Sequence, residues 1–190
     1  MPLLPVRLSA LTHHLATSLA HLRHDTNNAP LVRILSRVPT QRTKNLGDPS
    51  ETGSTVSLVF LSVRIIFREL RRFQYLTFAH EQPDGSMISN SFIEHAATQH
   101  KISLRTGCVC NPGGAAAILN IESDMGRLHA GVTLRDFERQ VGRELGVVRI
   151  SLGLASTYDD VYKVLKFASL IACQKSREEF WREFQAQKHD

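Results

Sequence analysis

The chain is short of several things, and each shortage narrows what it does. Its 190 residues hold three cysteines, an odd number, and two of them sit in one Cys-x-Cys. A secreted disulfide framework needs cysteines in pairs, so the count points to a reducing compartment, with the cytoplasm as the expected location. Long apolar runs are also missing. The longest, Val56 to Ile66, is broken by Ser57, Ser62 and Arg64, and it falls short of the roughly 20 residues of a membrane helix. No membrane partner is therefore expected. Charge of one sign is nowhere concentrated: 23 basic and 18 acidic residues give a net charge of +5 spread along the chain. Without a basic-aromatic motif, that balance argues against a nucleic-acid partner. There is no Gly-x-Gly-x-x-Gly, no Walker-type loop and no coherent Ser/His/Asp set. Acids are absent from the first 24 residues, a trait shared with transit peptides, but the leucine spacing there favours an ordinary amphipathic helix.

What remains is the composition of a soluble globular protein, 42% apolar and 22% charged, with length enough for one buried core. Leu8, Leu11, Leu15, Leu19 and Leu22 recur at helical spacing and predict a helix over residues 7–23. Short strands are expected at Leu31 to Leu35, Thr55 to Leu61, Lys101 to Leu104 and Val147 to Leu152. Helices are expected at Ser89 to Gln99, facing inward with Phe92, Ile93 and Ala96, and after the caps Thr133 and Thr157. The first of these two carries Leu134, Phe137, Val141 and Leu145 and ends at Gly146. A last helix is expected to start at a capping box of Ser176 and Glu179 and to carry Phe180, Trp181 and Phe184. Strands interleaved with helices make the fold class α+β, a short mixed sheet covered by helices. The domain is expected over 1–175, with 176–190 as a C-terminal helix and tail. His13, His14, His21 and His24 are expected on the solvated side of the first helix.

Chemistry concentrates in Arg105-Thr106-Gly107-Cys108-Val109-Cys110-Asn111-Pro112-Gly113-Gly114. Asn111 is a good N-cap and Pro112 suits the first helical position. A helix starting there places its positive end at Cys110, which favours a thiolate, and Arg105 adds positive charge. Local sequence leaves other readings of Cys110 open: a buried inert thiol, a metal ligand with Cys108, or a tight redox pair with it. A zinc site would need two further ligands in a paired spacing, and none is present. The second point is Arg149, an arginine within the apolar strand Val147-Val148-Arg149-Ile150-Ser151-Leu152. A buried guanidinium needs an anionic partner. Either a structural salt bridge or a ligand carboxylate would serve, the latter gripped by the planar fork.

The block Leu104 to Gly113, followed by Gly146-Val147-Val148-Arg149-Ile150-Ser151-Leu152-Gly153-Leu154-Ala155-Ser156-Thr157, resembles the molybdenum cofactor sulfurases, in a fungal-type version. Specifically, it is similar to the end of their class V aminotransferase (cysteine desulfurase) region. Leu22-Arg23-His24 and the strand near Leu31 are similar too. The resemblance implies the small C-terminal domain of a fold-type I pyridoxal phosphate transferase. That family takes sulfur from L-cysteine through an enzyme persulfide and passes it to the molybdenum cofactor. By motif position, the resemblance makes Cys110 the persulfide-forming nucleophile and Arg149 the receptor of the substrate carboxylate. Arg105 lines the same site, and Cys108 is a possible accessory with no assigned role.

Two departures matter. The Schiff-base lysine of the family lies in a large domain well upstream. None of Lys44, Lys101, Lys163, Lys166, Lys175 or Lys188 stands in a matching context. Without pyridoxal phosphate nothing weakens the substrate C–S bond, so the chain alone is expected to be inactive, its site completed by the missing large domain or a homologous subunit. The alternatives are a non-catalytic interaction module and a sulfur-carrier or redox thiol protein. The second departure is residues 63–82, which interrupt a strand. Removing them joins Leu61-Ser62 to Pro83-Asp84-Gly85-Ser86 and restores a strand-turn pattern. Val-Arg codons able to begin with GT, and a Gln82 codon able to end in AG, suit a retained intron translated in frame.

Overall fold

The computed structural model describes residues 3–62, 87–107, 112–119, 121–142 and 144–187. Along the chain run α1 (Leu4–His21), β1 (Val32–Ile34), β2 (Thr55–Phe60), α2 (Asn90–Gln99), α3 (Pro112–Leu119), a 3-10 helix (Glu122–Arg127), α4 (Leu134–Val141), β3 (Val148–Ser151), α5 (Tyr158–Ala172) and α6 (Gln174–Gln187). The class is α+β, as expected. The sheet is a correction: it was expected to be mixed, and its three strands are antiparallel in the order β1-β2-β3. The expected strand at 101–104 is not one. That segment reaches the sheet only through a single antiparallel bridge between Arg105 and Arg149.

Register sorts the side chains onto two faces, because residues opposite one another on antiparallel strands share a side. Val32 faces Phe60, Leu58 faces Val148 and Val56 faces Ile150. This apolar set lies under α1, α2, α5 and α6, which contribute Leu11, Leu15, Leu19, Phe92, Ile93, Phe167 and Ile171, all essentially inaccessible. Arg33 faces Val59 and Ser57 faces Arg149 on the opposite side. There a smaller cluster of Val59, Ala116, Leu119, Ile121, Phe137, Leu145 and Val147 packs beneath α3, the 3-10 helix and α4.

Helix ends follow the caps read from sequence, with two exceptions. Ser89 caps α2, Thr133 caps α4, and Thr157 with Asp160 forms a reciprocal capping box on α5. α4 stops at Gly142, not Gly146: Gly142 takes the left-handed conformation (φ 76°), and its N–H closes on the Glu138 carbonyl at 2.8 Å. Leu134, expected in the buried stripe, is exposed at 49%, because as the first residue of α4 it lies at the helix end away from Phe137. α6 begins at Gln174, ahead of the expected Ser176 box, because the Gln174 N–H is received by the Asp25 carboxylate at 3.0 Å. Phe184 of α6 is buried against Phe92 of α2, ring centroids 5.7 Å apart. The last helix thus shares the main core.

Leu61 and Met87 are paired by an antiparallel bridge, and the Ile88 N–H donates to the Phe60 carbonyl at 2.9 Å. Leu61 and Met87, on either side of the sequence interruption, are therefore neighbours in space. The interruption itself, 63–82, lies outside the described residues. Among the described residues no helix is long and apolar enough to cross a membrane.

Candidate functional site

The segment leading to the Cys-x-Cys is held along the free edge of β3. Arg105 N–H donates to the Arg149 carbonyl at 3.1 Å, Arg149 N–H returns to the Arg105 carbonyl at 2.7 Å, and Val147 N–H donates to the Gly107 carbonyl at 3.0 Å. The approach is close because Gly146 has no side chain. A Cβ on Gly146 (φ 147°) would lie 2.8 Å from the carbonyl carbon and oxygen of Gly107. Gly107, at φ 117°, then turns the chain away. The Thr106 hydroxyl donates to the Glu94 carboxylate of α2, and the Glu144 carboxylate accepts from the Ser89 hydroxyl and the Ser91 backbone N–H, both at 2.9 Å. Both strands of this corner are thereby tied to α2.

The predicted site residues fall into two groups. Arg105 and Arg149 are brought together as direct bridge partners, Arg105 exposed and Arg149 half-buried. Cys110 and Cys108 lie outside the described residues, as does Asn111. α3, which starts at Pro112 as the sequence predicts, follows them directly. The third cysteine, Cys173, is free and half-buried at the C-cap of α5. No metal-binding group of three or more His, Cys, Asp or Glu exists among the described residues.

Among the described residues Arg149 has no salt bridge of the kind that a structural role would provide. Its Nε is buried with no hydrogen-bond partner, and the ion pairs among the described residues are confined to Arg127, Arg139 and Lys163. Leaving a buried donor unmet costs about 1–3 kcal/mol. Arg33 stands on the same face and resembles it: its Nε is also buried and unmet, while Nη2 donates to the Ile118 carbonyl near the end of α3 at 3.2 Å. Sequence reasoning passed over Arg33, although Val32-Arg33-Ile34 shows the same signal as Arg149, a cation within an apolar strand.

His24 is a further correction. It was expected in solvent and is 2% exposed. Its Nε2 pairs with the Leu61 carbonyl at 2.9 Å, and its Nδ1 with Nη1 of Arg177 at 3.2 Å. Since Arg177 is a donor only, Nδ1 accepts and Nε2 carries the proton. Burial, helped by the Arg177 charge, holds His24 below its ordinary pKa. The motif Leu22-Arg23-His24 is thus a structural corner joining α1, β2 and α6.

Fold and corner together define a small α+β domain whose edge strand presents an arginine with no ion pair among the described residues. In sequence, this domain is similar to proteins of one name. The chain is 41% identical over 95 residues to molybdenum cofactor sulfurase of Oryza sativa, covering 48% of this chain and 12% of that protein. It is 36% identical over 105 residues to molybdenum cofactor sulfurase of Aspergillus niger, covering 53% and 13%. With molybdenum cofactor sulfurase of Bos taurus it shares 29% over 160 residues, covering 83% and 15%. The chain is thus similar to molybdenum cofactor sulfurases, and the match spans about one-eighth to one-seventh of these relatives' length. No protein-family model matches it, and no solved structure matches it.

The pyridoxal phosphate that the resemblance implies needs a lysine facing the carboxylate receptor. The described lysines do not fit it. Lys163 and Lys166 lie on α5 and Lys175 on α6, Lys101 follows α2, and Lys44 sits beside α1. All these helices pack on the face of the sheet opposite Arg149.

Proposed function

We propose that this chain supplies the carboxylate-binding and sulfur-receiving half of a molybdenum cofactor sulfurase site. In this reading Arg149, with Arg105 beside it, grips the carboxylate of L-cysteine, and Cys110 takes the sulfur as a persulfide bound for the molybdenum cofactor. The domain corresponds to the small C-terminal domain of a fold-type I transferase, and the lysine-bearing large domain, in another chain or segment, completes it. The chain by itself is inactive as a desulfurase. The observation that carries this reading is the buried Nε of Arg149 on the edge strand, which has no hydrogen-bond partner in a group able to grip a carboxylate with two parallel bonds.

The test is complementation. Mixed with the lysine-bearing large domain of a molybdenum cofactor sulfurase, the chain restores alanine formation from L-cysteine, and alkylation mass spectrometry finds the persulfide on Cys110. Cys110→Ser removes the persulfide, and Cys108→Ser leaves it. Arg149→Met lowers kcat/KM by about 100-fold, the scale of a lost charge-assisted pair. Failure to complement, or complementation indifferent to Arg149, overturns the reading.

A further inference from the structure

On the side of the molecule away from Arg149, the segment 41–44 lies along α1 and leaves a cleft of about 450 Å³ between itself, α1 and the start of α5. The Thr43 N–H donates to the Ser9 hydroxyl of α1 at 2.8 Å, fixing the segment in place. Its ends are fixed as well: the Glu51 carboxylate accepts from the Thr40 N–H and hydroxyl, and Asp48 accepts from the Asn45 amide.

The lining is one-sided in charge. The cations Arg42 and Lys44 border the cleft, with His13, His14, Gln41 and Tyr158, and no carboxylate does. The acids of this neighbourhood are committed elsewhere: Glu51 to Thr40, Asp160 to the Thr157 cap, and Asp159 to Lys163 at 2.7 Å. Neither Arg42 nor Lys44 has an ion pair among the described residues. Like charges gathered around a concave surface raise the local concentration of the opposite ion. Beside the cations stands an aromatic wall: the rings of His14 and Tyr158 are 5.9 Å apart, tilted by 49°, and Tyr158 is 54% exposed. An exposed tyrosine of this kind offers a flat apolar surface together with a hydroxyl donor.

We infer that this cleft is a binding site for a small phosphate-bearing molecule with a planar ring. Arg42 and Lys44 receive the phosphate, as a fork and a point charge respectively. His14 and Tyr158 receive the ring. The volume falls within the range of small-molecule sites, about 300–1,000 Å³.

Adenosine monophosphate is a suitable probe, with adenosine and inorganic phosphate as its two halves, titrated calorimetrically into the full chain at low salt. The nucleotide binds with a Kd of about 1 mM or tighter, and each half binds at least about tenfold more weakly. Arg42→Ala with Lys44→Ala weakens the nucleotide by about tenfold or more, and added salt does the same. Both side chains are exposed, so the thermal midpoint of the double variant stays at the wild-type value and reports an intact fold. No heat at about 5 mM nucleotide, adenosine binding as tightly as its monophosphate, or a double variant that binds like wild type would each overturn the inference.

Discussion

One face of the sheet buries Val56, Leu58, Phe60, Val148 and Ile150 under four helices, while the other sets Arg33, Ser57 and Arg149 among a few apolar residues. The same three strands build both, and one alternation of side chains separates them. The first face has no polar strand residue and draws on every long helix. The second leaves two guanidinium nitrogens buried and unmet, an arrangement that costs stability unless a ligand meets it. Cohesion and the proposed chemistry thus fall on opposite sides of a single sheet.

Two substitutions on adjacent strands of that sheet break this contrast if it is wrong. Leu58→Ala empties a fully buried position and costs about 3 kcal/mol, read from urea unfolding. Arg149→Met keeps an unbranched apolar stem and removes the unmet donor, so stability holds or rises while complementation fails. An Arg149→Met variant as damaged as Leu58→Ala would make Arg149 a structural residue. Gly146→Ala comes next in size. Its Cβ would press on the Gly107 backbone at 2.8 Å, and the residue sits at φ 147°. A loss of about 1–3 kcal/mol is expected, together with a slower transfer of sulfur to Cys110, since Gly107 leads the chain into that motif. Stability lost with transfer intact would uncouple the corner from the thiol.

The His24 corner belongs wholly to the cohesive side and carries a pH signature. Its folded pKa lies below the ordinary 6.5, held there by burial and by Arg177. The unfolded chain therefore takes up the proton first. The contribution is complete above pH 6.5 and is lost as pH falls through the folded value. His24→Leu leaves the Leu61 carbonyl without its imidazole partner and deprives Arg177 of one. It costs about 2 kcal/mol at pH 7.5 and flattens the slope of urea midpoint against pH below 6.5. An unchanged slope would place the titration elsewhere.

Where the sequence was legible, the signal was local. Thr133, Thr157 and Ser89 cap their helices because a hydroxyl two or three residues from an open amide suffices. The pairing of Arg105 with Arg149 was legible only as two motifs; their bridging depends on Gly107 and Gly146 meeting across 39 residues of chain. His24 looked solvated because a helical wheel does not show α6 returning over α1's end. Gly146 looked like a helix stop because two glycines fit that role, and Gly142 comes first. Arg33 and the basic cleft needed the register and the 41–44 segment in three dimensions.

The smallest effect concerns residues 63–82. Leu61 and Met87 are bridge partners, so the chain between them must leave and return to one spot. Removing 63–82 replaces a 25-residue connection by the five residues Ser62, Pro83, Asp84, Gly85 and Ser86, a length that commonly joins antiparallel strands and one that contains its own turn residues. Closing a loop one-fifth as long saves about 1 kcal/mol of chain entropy, since each halving contributes about 0.6 kcal/mol. The deletion variant is therefore expected to fold with its thermal midpoint raised by about 2–4 °C, and to keep both the His24 slope and the complementation by Arg149. Such a result marks 63–82 as external to both faces. A deletion variant that unfolds, or that loses one face and keeps the other, would show that the segment supports the side that fails.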